Sequence, residues 1–224
     1  MEDLGKIHQL IVPCFGHDMV FNLEIIVMTW IVILGLICFG FLAARKKNIL
    51  PGPLQIAGEL LITALFGLTG DALDEELAKK YAPLICALFM FLVVCNWLGL
   101  IPHLEEPTKD LNTPLSLGIM GFFIAHYTGI KAKGLKRYLL DYCHPIFIMA
   151  PLNVIGELAK IVSISFRLFG NIMGGAIIIL VVSHLTFSII LPPFLNAFFG
   201  IFVGTIQAFV FTMLTLVYIS VQVN

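Results

Sequence analysis

The sequence predicts an all-α membrane protein with about five transmembrane helices and one interfacial amphipathic helix. The last two helices are expected to be long and strongly tilted as a hairpin. Of the 224 residues, 59% are hydrophobic and only 12% are charged, against roughly 25% charged residues in soluble domains. Several uncharged stretches are long enough to cross a hydrocarbon core of roughly 30 Å. A soluble domain of this size could not bury so much apolar surface.

The composition also excludes other classes of protein. The net charge of −1 provides no surface for a polyanion, so nucleic acid is not expected as a partner. The five cysteines form no CxxC pair, which argues against a zinc site or a redox dithiol. The chain has no phosphate-binding glycine loop, HExxH or GxSxG element, so we expect no cofactor and no resident metal.

The first 80 residues contain one predicted span and one predicted surface helix. Residues 1–24 form an external N-terminal segment, which lacks the basic region of a cleavable signal peptide. The first span covers residues 25–44 and stops at the basic residues 45–47. Proline and glycine at 51–53 then break the backbone. Residues 54–80 combine apolar residues at helical spacing with charged ones, which predicts an interfacial amphipathic helix; a solvated linker is the alternative.

Residues 82–130 are predicted to form a helical hairpin. Its two spans are 82–101 and 113–130, and the charged residues of 103–112 identify the connection between them as a loop. A basic loop, 131–137, follows the second span.

Residues 145–224 are predicted to form a long tilted hairpin that bears Arg167. As a single helix, the first part of this region would be roughly 60 Å long, about twice the thickness of the hydrocarbon core. Such a helix must be broken, bent or strongly tilted, and Pro151 is a candidate break near its start. The prolines 192–193 mark the turn into the last helix, 194–223. No charged residue follows Arg167, so this terminal region lies in lipid or protein.

The distribution of lysine and arginine predicts the orientation. With five spans and the N-terminus outside, the outer segments hold only Lys6 and Lys109. The inner segments then hold the remaining basic residues outside the spans: Arg45, Lys46, Lys47, Lys79, Lys80, Lys131, Lys133, Lys136 and Arg137. This asymmetry places the C-terminus in the cytoplasm.

Ionisable residues inside the long hairpin are candidate functional groups, because such groups are costly in a membrane. Glu157 and Lys160 are three residues apart and can pair on one helix face. Ser163, Arg167 and Asn171 continue that face. Arginine keeps its charge, so Arg167 suits a fixed positive barrier and not a proton relay. The alternatives are an interfacial ion pair for Glu157 and Lys160, and an arginine that snorkels from a helix end.

The last helix carries a stripe of small and polar residues at spacings of three and four. Its members are Asn196, Gly200, Gly204, Gln207, Phe211, Thr215, Tyr218 and Gln222. Glycines on one face permit close helix approach, and Gln207 either joins two helices or lines an ion path. Asn96 is a weaker candidate for a polar entrance. His184 is a single histidine, for which a structural hydrogen-bonding role is favoured over a role as a ligand.

Five segments carry a resemblance to a known family. Residues 165–171 (SFRLFGN) resemble the signature of the F-type ATP synthase subunit a family. Residues 96–102 (NWLGLIP) resemble its N-x-x-G-x-x-P element, and 112–117 resemble the segment that follows. Residues 156–160 precede the arginine at the expected offset, and 207–218 look like the C-terminal motif of the family. The resemblance extends in order from about residue 20 to the end.

The resemblance implies an ion-translocating stator subunit of a bacterial F-type ATP synthase. Arg167 would be the essential arginine of the family and face the carboxylates of a rotating ring of c subunits. Two half-channels would carry H⁺ or Na⁺ to and from the ring, and Arg167 would prevent a short circuit between them. The half-channel or ring-facing candidates are Asn171, Gln207, Ser163, Glu157, Lys160, Asn96, His184 and Tyr218.

The same resemblance implies the surroundings of the chain. Its partners would be the c-subunit ring, the peripheral-stalk b subunits and the rest of the ATP synthase. The chain would lie in the bacterial inner membrane and catalyse no reaction by itself.

The chain departs from the family pattern at three positions. Many members carry a carboxylate where this chain has Ala176 and a histidine where it has Gly200. Other groups or water must then carry the ion through the outer half-channel. The coupling ion can still be either H⁺ or Na⁺. Ile161 stands where proline often follows the lysine.

Two other functions stay open at this point. The first is an ion-coupled secondary transporter or channel with an arginine-gated pore, for which paired halves are expected and none is detected. The second is a structural membrane anchor, which would tolerate loss of the arginine.

Overall fold

The structure is a computed structural model, and it describes residues 9–14, 17–45, 53–101, 104–143, 149–185 and 191–223. Two strands, β1 (Gln9–Cys14) and β2 (His17–Asn22), pair as an antiparallel hairpin. The helices are α1 (Leu23–Arg45), α2 (Pro53–Ala72), α3 (Glu75–Leu98), α4 (Asn112–Lys133), α5 (Leu135–Cys143), α6 (Met149–Leu185), α7 (Leu191–Ala197) and α8 (Gly204–Val223). A 3₁₀ turn, Pro107–Lys109, precedes α4, and a π-helical stretch, Phe198–Val203, joins α7 to α8. The hairpin falls within the predicted external segment, for which the sequence indicated no secondary structure.

The predicted all-α membrane class is confirmed. Among the residues that the structure describes, four helical stretches are long and apolar enough to cross a membrane: Leu23–Leu42, Glu75–Leu98, Ala150–Leu185 and Leu191–Val223. The 22 residues of α4 would extend about 33 Å, which is also the length of a span. Helix α4 is less apolar than the other four stretches. The predicted number of about five spans is reached only if α4 is counted as the fifth.

The boundary between the predicted surface helix and the next span differs from the expectation. The sequence suggested one interfacial helix over 54–80, but α2 ends at Ala72 and α3 begins at Glu75. Acidic residues in a first turn are favourable because they lie next to the positive end of the helix dipole. Glu75 and Glu76 occupy that position in α3, so residues 75–80 are the first turns of α3 and not the end of the surface helix.

Helix α6 is unbroken over 37 residues, a length of about 55 Å. The suggested break at Pro151 does not occur, because the helix begins two residues earlier and places the proline in its first turn. Proline is tolerated there, since its missing N–H would have no partner within the helix. Helix α7 begins at Leu191 for the same reason, with Pro192 and Pro193 in its first turn.

Helix α8 packs between α3 and α4. Phe211 of α8 is buried together with Leu92 of α3 and Leu168 of α6. Glycines of α4 allow its backbone to approach α8: a Cβ at Gly121 would lie 3.1 Å from Thr215 Cγ2. The small residues of the sequence therefore set how closely these helices approach.

The predicted basic loop 131–137 is largely helical. Helix α4 continues to Lys133, and α5 begins at Leu135. Tyr138 of α5 is buried, and the hydroxyl donates a 2.8 Å hydrogen bond to Gln222 Oε1. Ser220 donates a 2.7 Å hydrogen bond to the carbonyl of Ala72. The C-terminal ends of α2 and α8 and the helix α5 therefore lie at the same end of the molecule.

Candidate functional site

Arg167 is the central residue of α6, with 18 residues on either side of it in the 37-residue helix. It lies about 27 Å from each helix end, which is too far for the side chain to snorkel to either one. The residue is exposed. Within the described part of the chain, its guanidinium makes no hydrogen bond or ion pair. Arg167 is therefore a fixed positive charge on the outer face of a long apolar helix.

The helix face around Arg167 is formed by small and polar residues. Ser163 and Asn171 lie one turn before and one turn after it, and both are exposed. A Cβ built at Gly170 or Gly174 would meet nothing within 4 Å. This face is therefore a shallow surface that the rest of the described chain leaves open. We refer to these residues, Ser163, Arg167, Gly170, Asn171 and Gly174, as the arginine face.

Asn171 and Gln207, two of the half-channel or ring-facing candidates, contact each other across α6 and α8. Asn171 Nδ2 donates a 2.8 Å hydrogen bond to Gln207 Oε1. Gln207 is 5% exposed, so the bond lies where α8 packs against α6. The stripe on α8 thus faces protein, and the amide joins two helices one turn from the arginine.

Replacing Gln207 with leucine should lower the stability of the subunit by about 0.6–2 kcal/mol, the usual range for a hydrogen bond between membrane helices. The measurement is the unfolding midpoint of the purified complex in mild detergent. Asn171→Ala should cause a similar loss, and the double variant should lose little more than either single one. Gln55→Leu is the control, because the Gln55 amide bonds to the exposed Glu59 of the same helix, α2, and not across two helices. Fully additive losses would show that the two amides do not act together.

A first polar cavity lies around Lys160. Lys160 Nζ pairs with Glu157 Oε1 at 2.6 Å and lies 5.6 Å from the centre of the Tyr218 ring. Both charged residues line a cavity of about 360 Å³ between the start of α6 and the end of α8. A smaller cavity of about 10 Å³, whose lining also includes Glu157 and Lys160, lies beside His126 and Ile164; one water needs about 10–15 Å³. We call the two together the Lys160 cavity.

A second, larger cavity of about 1290 Å³ lies at the C-terminal end of α3. We call it the loop-side vestibule, because residues of the loop before α4 line it together with the ends of α3 and α6, α7 and the π-helical stretch. His184 is exposed at the end of α6 and contributes to its wall. Asn196 donates a 3.4 Å hydrogen bond to the carbonyl of Gly99 at its edge.

Asn96 holds the floor of this vestibule together. Its Nδ2 donates a 2.8 Å hydrogen bond to the carbonyl of Gly204, and its Oδ1 accepts one from the Thr108 hydroxyl at 2.8 Å. The residue is 1% exposed. Buried amides need partners of this kind, and these link α3, α8 and the 3₁₀ turn.

Ala176 and Gly200, where the chain departs from the family pattern, both line the loop-side vestibule. Gly200 is buried, and a Cβ at this position would lie 2.6 Å from Leu100 Cδ2. Leu100 therefore occupies the space in which a larger side chain at position 200 would begin. Both departures therefore lie in the wall of one cavity. With alanine and glycine, this wall is less polar than it would be with the carboxylate and histidine of the family pattern.

Glu106 also lines the vestibule, although it is not among the candidates that the sequence predicts. Burial raises the pKa of its carboxyl to about 7, and the nearby Lys109 ammonium opposes the shift. In the sequence Glu106 is one of two adjacent glutamates in a charged loop. Nothing distinguishes it there from Glu105, which is exposed and lies 3.7 Å from Lys109 Nζ.

The two cavities reach α6 before and after Arg167 along the helix. The α6 residues of the Lys160 cavity lie between Leu152 and Ile164. Those of the loop-side vestibule lie between Ile172 and His184. The fold and the site therefore define a multi-pass membrane protein in which one exposed, permanently charged arginine lies, along α6, between two cavities that are lined in part by polar residues.

The chain belongs to the ATP synthase A chain family, whose sequence profile matches residues 26–220. It is 37% identical over 199 residues to ATP synthase subunit a 2 of a Bradyrhizobium strain, covering 89% of this chain and 88% of the relative. Over 195 residues it is 36% identical to ATP synthase subunit a of Moorella thermoacetica, covering 87% and 88%. The Helicobacter pylori subunit a is 34% identical over 210 residues, covering 92% and 90%.

Family membership confirms the broad expectation from the sequence. The chain is a stator subunit of an F-type ATP synthase in a bacterial cell membrane, and it is a non-catalytic part of the membrane sector.

Proposed function

We propose that this subunit conducts H⁺ or Na⁺ to and from a rotating ring of c subunits, with the Lys160 cavity and the loop-side vestibule as its two half-channels. The observation that carries the proposal is the position of Arg167 between the two cavities. An ion that enters one cavity meets a fixed positive charge before it can reach the other. The ion must therefore leave on the ring and return after rotation.

The exposure of Arg167 supports a carboxylate-bearing partner. An arginine at the centre of an apolar helix is costly when it faces lipid, and this chain supplies it with no described acidic partner. A carboxylate of a neighbouring subunit would lower that cost by forming a charge-assisted pair. When the arriving ion neutralises the carboxylate, the pair separates and the neutral site can turn into lipid.

The arginine face also fits a moving partner. Apart from Arg167 and Asn171, its residues are glycine and serine, and a Cβ at Gly170 or Gly174 would meet nothing within 4 Å, so a passing helix can approach closely. Small residues favour close approach of helices in membranes. We therefore assign the arginine face to contact with the c ring. The other exposed apolar surface, above all that of α1 with Trp30, Leu34 and Ile37, is available for lipid and for the peripheral-stalk b subunits.

We infer the orientation of the chain from the fold and the basic residues. The ends of α2 and α8 and helix α5 lie at one end of the molecule, as the bonds of Ser220 and Tyr138 show. Segments at this end contain Lys79, Lys80, Lys131, Lys133, Lys136 and Arg137. By the positive-inside rule this end is cytoplasmic and the N-terminus is outside. The Lys160 cavity is then the inner half-channel and the loop-side vestibule the outer one.

Cysteine cross-linking tests the contact with the ring. A cysteine at Ser163 should form a disulfide with a cysteine placed near the membrane carboxylate of the c subunit, because position 163 lies about 40° around the helix from Arg167. The background should be a variant in which the five natural cysteines are replaced by alanine. The readout is a band on a non-reducing gel that contains this chain joined to a c subunit and that forms only after oxidant is added.

Val162→Cys is the matched control for this experiment. Val162 is 49% exposed but lies about 140° away from Arg167 around the helix. It should give little product. Equal cross-linking from positions 162 and 163, or none from either, would contradict the assignment of the arginine face to the ring.

A further inference from the structure

We propose that Glu106 is the proton-exchanging group of the loop-side vestibule, where it passes protons between the outer water and the ring. The inference rests on the proposed function of the vestibule as a half-channel. It assigns to a loop residue the part that Ala176 and Gly200 cannot take in this chain. Both of those positions face the same cavity but carry no titratable side chain.

The geometry places the Glu106 carboxyl at the wall of the cavity beside the end of α3. A Cβ built at Gly99 would overlap the carboxylate of Glu106. The glycine therefore leaves the space into which this carboxylate fits. Asn96 lies one turn before Gly99 and is itself bonded to Thr108 in the loop. The loop and α3 thus hold Glu106 at a defined place in a cavity of about 1290 Å³.

Several charged or titratable groups surround the vestibule. Lys109 and Glu105 belong to the same loop, Glu24 comes from α1 and His184 from α6, and Cys95 of α3 lies within electrostatic range of Glu106. Lys109 favours the ionised form of Glu106, while burial favours the neutral form and prevails. A carboxyl whose pKa is about 7 is half protonated near neutral pH, where it can both accept and donate a proton.

The proposed step conserves protons and charge. In ATP-driven pumping, the ring site gives its proton, through water, to the Glu106 carboxylate and is left ionised beside Arg167. Glu106 then releases that proton to the outer water and returns to the carboxylate form. During ATP synthesis the same two transfers run in reverse.

The test is ATP-driven proton uptake into inverted membrane vesicles that contain the whole complex. Glu106→Gln should lower the initial uptake rate roughly tenfold, less than the 10²–10⁴-fold typical of positioned acid–base groups, because a cavity of this size has room for water that can still carry protons. Glu106→Asp should keep most of the rate. Gly99→Ala should lower the rate as well, and it should add little to the loss in Glu106→Gln. Glu75→Gln is the control, because Glu75 pairs with the exposed Lys79 at the start of α3, away from the vestibule.

The pH profile separates a proton relay from a structural role. Wild-type uptake needs the Glu106 carboxylate to accept the next proton, and this form is lost as the pH falls through the pKa of about 7. The ratio of wild-type to Glu106→Gln rates should therefore fall as the pH is lowered from about 8 to about 6. A merely structural role would leave that ratio constant.

Other outcomes overturn one claim or the other. Wild-type rates in Glu106→Gln, with normal amounts of assembled complex, would refute the role of Glu106 and leave the proposed function intact. Uptake that requires sodium and survives a protonophore would also refute a proton relay here. Absence of any ATP-driven ion uptake by the wild-type complex would refute the proposed function itself.

Discussion

Arg167→Ala should abolish coupled ATP synthesis while the complex still assembles. The side chain is exposed and makes no bond within the described chain, so its removal should not disturb the packing of α6. It would remove the permanent charge that lies between the Lys160 cavity and the loop-side vestibule. Without that charge, ions should pass from one cavity to the other without turning the ring.

Three measurements check this expectation: ATP synthesis driven by an imposed ion gradient, passive ion leakage through the membrane sector, and the amount of assembled complex. Synthesis should fall to background and leakage should rise. Arg137→Ala is the matched control, because Arg137 is exposed on α5, outside both cavities. Normal coupled synthesis in Arg167→Ala would refute the central role of the arginine.

Gly204→Leu should prevent most of the subunit from folding. A Cβ at this position would lie 2.9 Å from the Cβ of Asn96, so leucine would push α8 away from α3. Overpacking of a dense core costs about 1–3 kcal/mol. The Asn96 side chain would also lose its bond to the Gly204 carbonyl, and a buried polar group left without a partner costs a further 1–3 kcal/mol or so.

The readout is the amount of the subunit in the membrane and the unfolding midpoint of what remains. A loss of this size should reduce the amount several-fold. Gly35→Leu provides the control, because a Cβ at Gly35 would meet nothing within 4 Å. Equal amounts of the Gly204→Leu and Gly35→Leu proteins would show that the close contact of α3 and α8 is not needed.

Local patterns predicted most of the fold. The apolar runs identified the spans because crossing a hydrocarbon core requires a minimum length of apolar helix. They did not identify the end of α2 at Ala72, since the apolar positions at helical spacing run through that boundary. Nor did they predict α5, which is too short to be distinguished from a loop by its pattern.

The candidate site could be predicted only in part. Arg167 was predictable as a fixed charge, because a lone arginine in an apolar helix is exceptional. The pairing of Asn171 with Gln207 was not, since 36 residues separate them. Glu106 was missed because its place in the vestibule depends on the space that Gly99 leaves beside it.

By itself the sequence determined the membrane class, the approximate lengths of the spans, the basic segments and the charge at Arg167. All of these depend on apolar length and charge along the chain, which the order of residues contains directly. Only the tertiary structure decided that Arg167 is exposed, that two cavities lie on either side of it, and that Glu106 faces one of them. Those properties depend on how each helix is rotated about its axis. Close contacts between small residues on different helices, such as that of Gly204 with Asn96, set this rotation.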